Sequence, residues 1–189
     1  LSRSTETYAA LAFFVDNWRW TGTPFFLRSG KRLKRKLTEV VIQFRPPAAN
    51  IFRTLPGFKQ GKQLVPNRIV MEIAPRESIR VRFDCKEPGL GFDLDSIEMD
   101  SDFKRRFASE PIEAYGPLII DAMRGDQTLF KSRIEVESAW DAVMPFLDDR
   151  SAVARAGIKD NYGPGSWGPE SSRELLARHG RRWYEEERS

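Results

Sequence analysis

The chain has 189 residues, 40% of them apolar and 12% aromatic, which is enough for one well-buried domain and excludes wholesale disorder. Its 31 bases oppose 27 acids for a net charge of +4, a mild excess that suits an anionic substrate as readily as nucleic acid. A single cysteine, Cys85, rules out an internal disulfide or a cysteine metal site, and no run nears the roughly twenty apolar residues of a membrane span.

In chain order, Thr5 to Asp16 and Pro24 to Ser29 read as strands separated by a turn at Thr21-Gly22-Thr23-Pro24. Trp18 and Trp20 lie between them at strand-like alternate positions, a spacing that predicts core side chains rather than a ligand platform. Thr38 to Phe44 alternates, with Val40, Ile42 and Phe44 on one face. Arg68 to Asp84 predicts an antiparallel hairpin closed by Ala74-Pro75-Arg76-Glu77-Ser78, and Leu90 to Asp100 a further strand. After Pro111 the period changes. Ile112, Tyr115, Ile119, Ala122 and Met123 form one helical stripe ended by Gly125, and Val136, Ala139, Trp140, Val143 and Leu147 form a second. Asp149 to Gly168 is polar and glycine-rich and reads as a loop; a short helix is expected at Pro169, with the proline at its first helical position. Strands first and helices later predict an α+β fold, a large mainly antiparallel sheet with helices on one face, in a single domain over residues 1–189.

The richest chemistry lies in Asp16 to Lys36, DNWRWTGTPFFLRSGKRLKRK. Lys31 and Lys36 stand five apart behind an Arg-Ser-Gly turn whose glycine would let the backbone approach a ligand. Their ammonium groups can donate to sugar hydroxyls or phosphate oxygens, and Arg28 would add a fixed cation. The same block, residues 28–36, also reads as a solvated turn, or as the cationic patch of a non-catalytic structural or nucleic-acid-binding module. A P-loop is excluded, because Phe25 stands where its first glycine belongs and Arg32 where Ser or Thr must follow the lysine. Gly89-Leu90-Gly91 has Leu94 at the third glycine position of a dinucleotide fingerprint and reads as a strand turn. His179, the single histidine, lies in a basic tail without an orienting partner, and no nucleophile elbow or metal-ligand spacing occurs. No catalytic residue is therefore assigned to this chain.

Several blocks together carry a resemblance. Ser4-Thr5-Glu6-Thr7-Tyr8, Asp16 to Leu33, Thr38 to Phe44, Pro66-Asn67, Lys86 with Pro88-Gly89, Glu113-Ala114-Tyr115, Leu118 to Phe130, Glu137 with Trp140, and Tyr162 to Pro169 (YGPGSWGP) occur in one order across nearly the whole chain. In these the chain resembles the C-terminal domain of the glucose-6-phosphate dehydrogenase family. The resemblance implies NADP-dependent oxidation of glucose 6-phosphate at C1 to a lactone in the pentose phosphate pathway, in the cytoplasm, by a homodimer whose further pairing to a tetramer is left open. It also implies that NADP and the catalytic histidines belong to an N-terminal part preceding this segment. The start at Leu1 rather than Met points either to a segment of a longer protein or to post-synthetic trimming. It assigns substrate contacts to Lys31 and Lys36, no metal, and neither nucleic acid nor membrane as partner. The pattern departs at Glu72, where animal relatives use arginine for a second, structural NADP site; an acid there repels phosphate, so no such site is expected. Ala74 and Gly116-Pro117 also differ from common family residues, and the proline is tolerable only near a helix start.

Overall fold

The computed structural model describes residues 6–47, 65–91, 94–107, 115–147 and 161–185. The elements in chain order are β1 (Tyr8–Phe14), β2 (Pro24–Gly30), β3 (Thr38–Gln43), β4 (Arg68–Ala74), β5 (Ser78–Lys86), β6 (Leu94–Asp102), α1 (Phe103–Phe107), α2 (Tyr115–Arg124), α3 (Arg133–Leu147) and α4 (Glu170–Ala177). The class is α+β with antiparallel pairing, as the alternating and then helical periods predict. The described strands are divided between a two-stranded and a four-stranded sheet. The chain forms two compact units, one of Leu1–Leu33 with Pro111–Trp183, the other of Lys34–Glu110 with Tyr184–Ser189.

In the first unit β1 pairs with β2 in a register running from Tyr8↔Gly30 to Phe14↔Pro24, and the opposed Phe13 and Phe25 rings stack at 5.2 Å. The link between the strands corrects the expectation for the tryptophans. Asn17 Oδ1 accepts the amides of Arg19 (3.1 Å) and Trp20 (2.8 Å), while the Thr21 amide and hydroxyl both donate to Asn17 O. That closed turn breaks the extended alternation, and Trp18 ends 88% exposed and Trp20 41% exposed rather than in the core.

The helices of this unit start and stop on local chemistry. Gly125, at φ +73°, ends α2 in a conformation that costs glycine little, and Pro117 sits in that helix's first turn, where no backbone donor is lost. A capping box opens α3: the Ser132 amide donates to Glu135 Oε2 (2.7 Å) and the Glu135 amide to Ser132 Oγ (3.2 Å). The Ser132 amide, then its hydroxyl and the Lys131 charge, hold the Glu135 carboxyl below its ordinary value. Since the folded value is the lower one, the cap is complete above the ordinary carboxylate range and is lost as pH falls through the folded value. Protection of the Ser132 amide, taken relative to its intrinsic exchange rate at each pH, should therefore fall as the pH drops below the ordinary carboxylate range, and Glu135→Gln should abolish that dependence; an unchanged acid response in the variant would refute the assignment. Helix α4 follows Pro169, which is extended (φ −71°, ψ 156°) and caps the helix one position earlier than the sequence suggests. Its buried Leu176 belongs to the core of the unit. Ile112, and residues 149–160 of the expected loop, lie outside the described residues.

In the second unit the order is β3-β4-β5-β6, each neighbour antiparallel. Turns connect successive strands: Pro75-Arg76-Glu77 joins β4 to β5, and a bend at Pro88 to Gly91 with Gly89 at φ +135° follows β5. The observed β6 begins four residues later than the sequence reading. The register gathers Val40 with Met71 and Ile79, Ile42 with Ile69, Val81 and Met99, and Phe83 with Ile97 on one face. The alternation read from the sequence is thus correct, but burial is not where it suggests. Val40, Ile42, Ile73, Ile97 and Met99 are exposed, while Glu72 (5% exposed) and Arg80 (4%) are buried on the opposite face beside Val70 and Ser78.

That polar face is covered by its own long side chains. Arg76 Nη2 reaches Asp100 Oδ2 at 3.0 Å, and its Nε lies 3.6 Å from Asp102 and 3.9 Å from Glu72. Arg68 and Arg82 stand directly opposite each other, an unfavourable pairing of like charges. Separate partners relieve it: the Tyr184 ring lies 4.2 Å from the Arg68 guanidinium, and Arg82 donates to Ser96 Oγ at 2.6 Å, which in turn donates to Asp84 (2.7 Å). Among the described residues no helix is long and apolar enough to cross a membrane.

Candidate functional site

Strand β2 delivers the cationic turn by ending at Gly30. A Cβ on Gly30 would stand 2.6 Å from Tyr8 Cδ2 and 3.1 Å from Leu33 Cδ2. The space left by the missing side chain is thus filled from inside the protein, which corrects the expectation that it serves a ligand's approach. The residue that turns the chain is Arg32, at φ +51°.

The turn is tied down at successive peptides. The Lys31 amide donates to Thr7 O at 2.8 Å, and the Gly165 amide donates to Arg32 O at 2.9 Å. Between them the Tyr162 hydroxyl lies 2.8 Å from Lys31 O and 2.9 Å from Thr7 O. The Tyr162 ring meets the Tyr8 ring edge-on at 5.4 Å, and Tyr8 donates its own hydroxyl to Ser172 Oγ (2.9 Å) on α4. Arg28, expected to add a fixed cation, has its guanidinium 4.9 Å from the Trp167 ring and 4.6 Å from the Trp183 ring. Trp183 is held in turn by its indole N–H to Ser172 O at 3.0 Å. Arg28 is therefore a packing element that fixes β2 beneath the turn.

Lys31 emerges from this rigid base exposed to solvent. Lys36, also exposed, belongs to the second unit, two residues before β3. His179 is exposed, with its ring 5.3 Å from Phe26 and 6.2 Å from Phe14, both apolar neighbours. Among the described residues no three His, Cys, Asp or Glu side chains gather as a metal site. What the arrangement offers is an exposed donor cation on a braced turn, suited to an anionic or polyhydroxylated ligand.

Tyr162, Gly165, Trp167 and Trp183 went unassigned in the sequence reading, although three of them lie in or beside YGPGSWGP. That cluster of glycines and aromatics was the available signal. A separation of 131 residues between Tyr162 and Lys31 hid its partner.

The model of the family described as "Glucose-6-phosphate dehydrogenase, C-terminal domain" matches residues 2–184. The chain belongs to this family. The glucose-6-phosphate 1-dehydrogenase of Aggregatibacter actinomycetemcomitans is 37% identical over 180 residues, 95% of this chain and 34% of that protein. Glucose-6-phosphate 1-dehydrogenase 2 of Mycobacterium bovis is 40% identical over 181 residues, again 95% of this chain and 34% of the relative. Among solved structures, the Mycobacterium avium glucose-6-phosphate 1-dehydrogenase superposes with a TM-score of 0.74 at 32% identity, over 98% of this chain and 36% of that one. A glucose-6-phosphate dehydrogenase in complex with its substrate glucose-6-phosphate gives 0.75 at 32% identity, over 95% and 35%. The chain spans about a third of the length of the relatives it matches.

Proposed function

We propose that residues 1–189 form the single substrate-binding and dimer-forming C-terminal domain of a bacterial-type, cytoplasmic glucose-6-phosphate dehydrogenase. The reaction oxidises C1 of glucose 6-phosphate to the lactone and passes a hydride to NADP in the pentose phosphate pathway. Lys31 and Lys36 are the substrate contacts. They hold the sugar phosphate by charge and hydrogen bonding, so their contribution is orientation and electrostatics rather than proton transfer. The observation that carries this reading is the family match across residues 2–184 together with an exposed Lys31 on an internally braced turn.

The residues present do not fit a dinucleotide site. The glycine-rich fingerprint is absent from the sequence, and the Glu72 carboxylate is buried on the polar sheet face, where it would repel a nucleotide phosphate. NADP is therefore held by a part of the enzyme outside these residues, and no second, structural NADP site forms here. The homodimer uses the four-stranded sheet, whose half-exposed apolar face needs cover.

Dehydrogenase activity should be absent from the chain alone and should return when the N-terminal part of a relative is added. Activity from the chain alone would overturn the reading. So would failure of complementation joined to salt-sensitive nucleic-acid binding, which would turn the basic block 28–36 into an electrostatic footprint.

A further inference from the structure

Lys31 has a long, flexible side chain, yet both ends of its own backbone are held. Its amide is used by Thr7 O, and its carbonyl is met by the Tyr162 hydroxyl at 2.8 Å. That hydroxyl carries one proton and has two acceptors in reach, Lys31 O and Thr7 O. Thr7 O already accepts the Lys31 amide, so the proton is best placed on Lys31 O. The next carbonyl, Arg32 O, takes the Gly165 amide at 2.9 Å from the same YGPGSWGP run. Arg32 keeps φ +51°, a sparsely populated conformation for a side chain of its kind, which persists only when neighbouring contacts determine it.

From this we infer that Tyr162 is a positioning residue for substrate binding: its hydroxyl clamps the Lys31 peptide and so sets the direction in which Lys31 leaves the backbone. The inference rests on the reading of Lys31 as a substrate contact. It adds a residue distant in sequence that never touches the sugar phosphate itself. The clamp acts before the substrate arrives, so the ordering of the turn does not have to be supplied from binding energy.

The test uses Tyr162→Phe, Lys31→Ala and the double variant in the full-length dehydrogenase carrying these residues. Without ligand, Tyr162→Phe should speed amide exchange at Lys31 and Gly165 while leaving the mid-strand amides of β1 and β2 unchanged. In the kinetics it should raise KM for glucose 6-phosphate about threefold to tenfold, the range expected for one lost hydrogen bond, with kcat little changed. In the Lys31→Ala background the same change should have no further effect, because the group it orients is gone. An equal loss in both backgrounds would mean that Tyr162 acts on the fold at large and would overturn the inference. Unchanged exchange at Lys31 would overturn it too. If Lys31→Ala alone leaves kcat/KM unaltered, the substrate-contact reading itself fails, a result distinguishable from failure of the clamp.

Discussion

Replacing Lys31 with alanine is expected to lower kcat/KM for glucose 6-phosphate by about 10²–10³ in the full-length dehydrogenase, the loss typical of one preorganised donor to a charged or developing-charge oxygen. The physical basis is the contrast between the two ends of this residue. The backbone is fixed by Thr7, Tyr162 and Gly165, whereas the ammonium end is exposed and available. Alanine removes the charge and leaves that scaffold intact. Lys31→Arg keeps the charge but replaces a compact point donor with a planar fork, so it should recover only part of the loss. Lys36→Ala should be costly as well, because the proposed sugar-phosphate contact uses both cations. Lys34→Ala is the control: it lies in the same cationic run and is equally exposed, but it has no assigned contact. Steady-state kinetics on the four variants separates the alternatives. A loss at Lys34 as large as at Lys31 would indicate a diffuse electrostatic effect rather than a site, and no loss at Lys31 would remove it from the site altogether.

The strands and helices were legible because each follows from local rules. The alternation in Arg68 to Asp84 is a period that only an extended chain satisfies, and the pairing of Ile69 with Val81 and Met71 with Ile79 is its direct consequence. Gly125 marked the end of α2 for an equally local reason. Local rules failed where a side chain reorganised the backbone. Asn17 turned the segment containing Trp18 and Trp20 out of the extended state, and so both indoles left the expected core. Burial on the sheet was misread for a different reason. Apolar alternation identifies a face, but it does not say whether that face is covered within one chain, and here the arginine–carboxylate lattice around Arg76 shields the other face better.

The candidate site divides along the same line. Lys31 and Lys36 could be proposed from the sequence because a family motif carries them in a contiguous run. The support of Lys31 could not, since Tyr8 and Arg28 meet Tyr162, Trp167 and Trp183 only through pairing across more than a hundred residues. The Arg-Ser-Gly-Lys turn suggested that Gly30 faces a ligand. Its missing Cβ instead admits Tyr8 and Leu33. A glycine beside a cation carries the same letter whether the space is filled from outside or from within, and only the neighbours decide which.

Gly168→Ala is the substitution expected to damage the fold most. Gly168 has φ +109°, a region that side chains avoid, and an added Cβ would stand 2.3 Å from Tyr8 Cε2, 2.6 Å from its Cζ and 2.8 Å from its hydroxyl. Backbone strain of roughly 1–3 kcal/mol and overpacking of a further 1–3 kcal/mol give a destabilisation of about 2–6 kcal/mol. For a chain of this size that corresponds to a fall in Tm of about 5–20 °C. The ring cannot retreat without consequence: moving Tyr8 breaks its hydrogen bond to Ser172 and its edge contact with Tyr162. Tyr162 in turn holds Lys31, so the variant should lose the clamp on the cationic turn even at temperatures where it remains folded. Gly163→Ala, next to Tyr162 and five residues before Gly168 in the same run, separates steric from compositional effects, because no atom lies within 4 Å of its Cβ and its φ is not positive. It should change Tm by no more than about 2 °C, in keeping with small effects at uncrowded surface positions. Thermal melts of the two variants decide the matter: comparable melting temperatures for both would show that Tyr8 does not need the space at Gly168, and the packing chain from α4 to Lys31 would have to be abandoned at its first link.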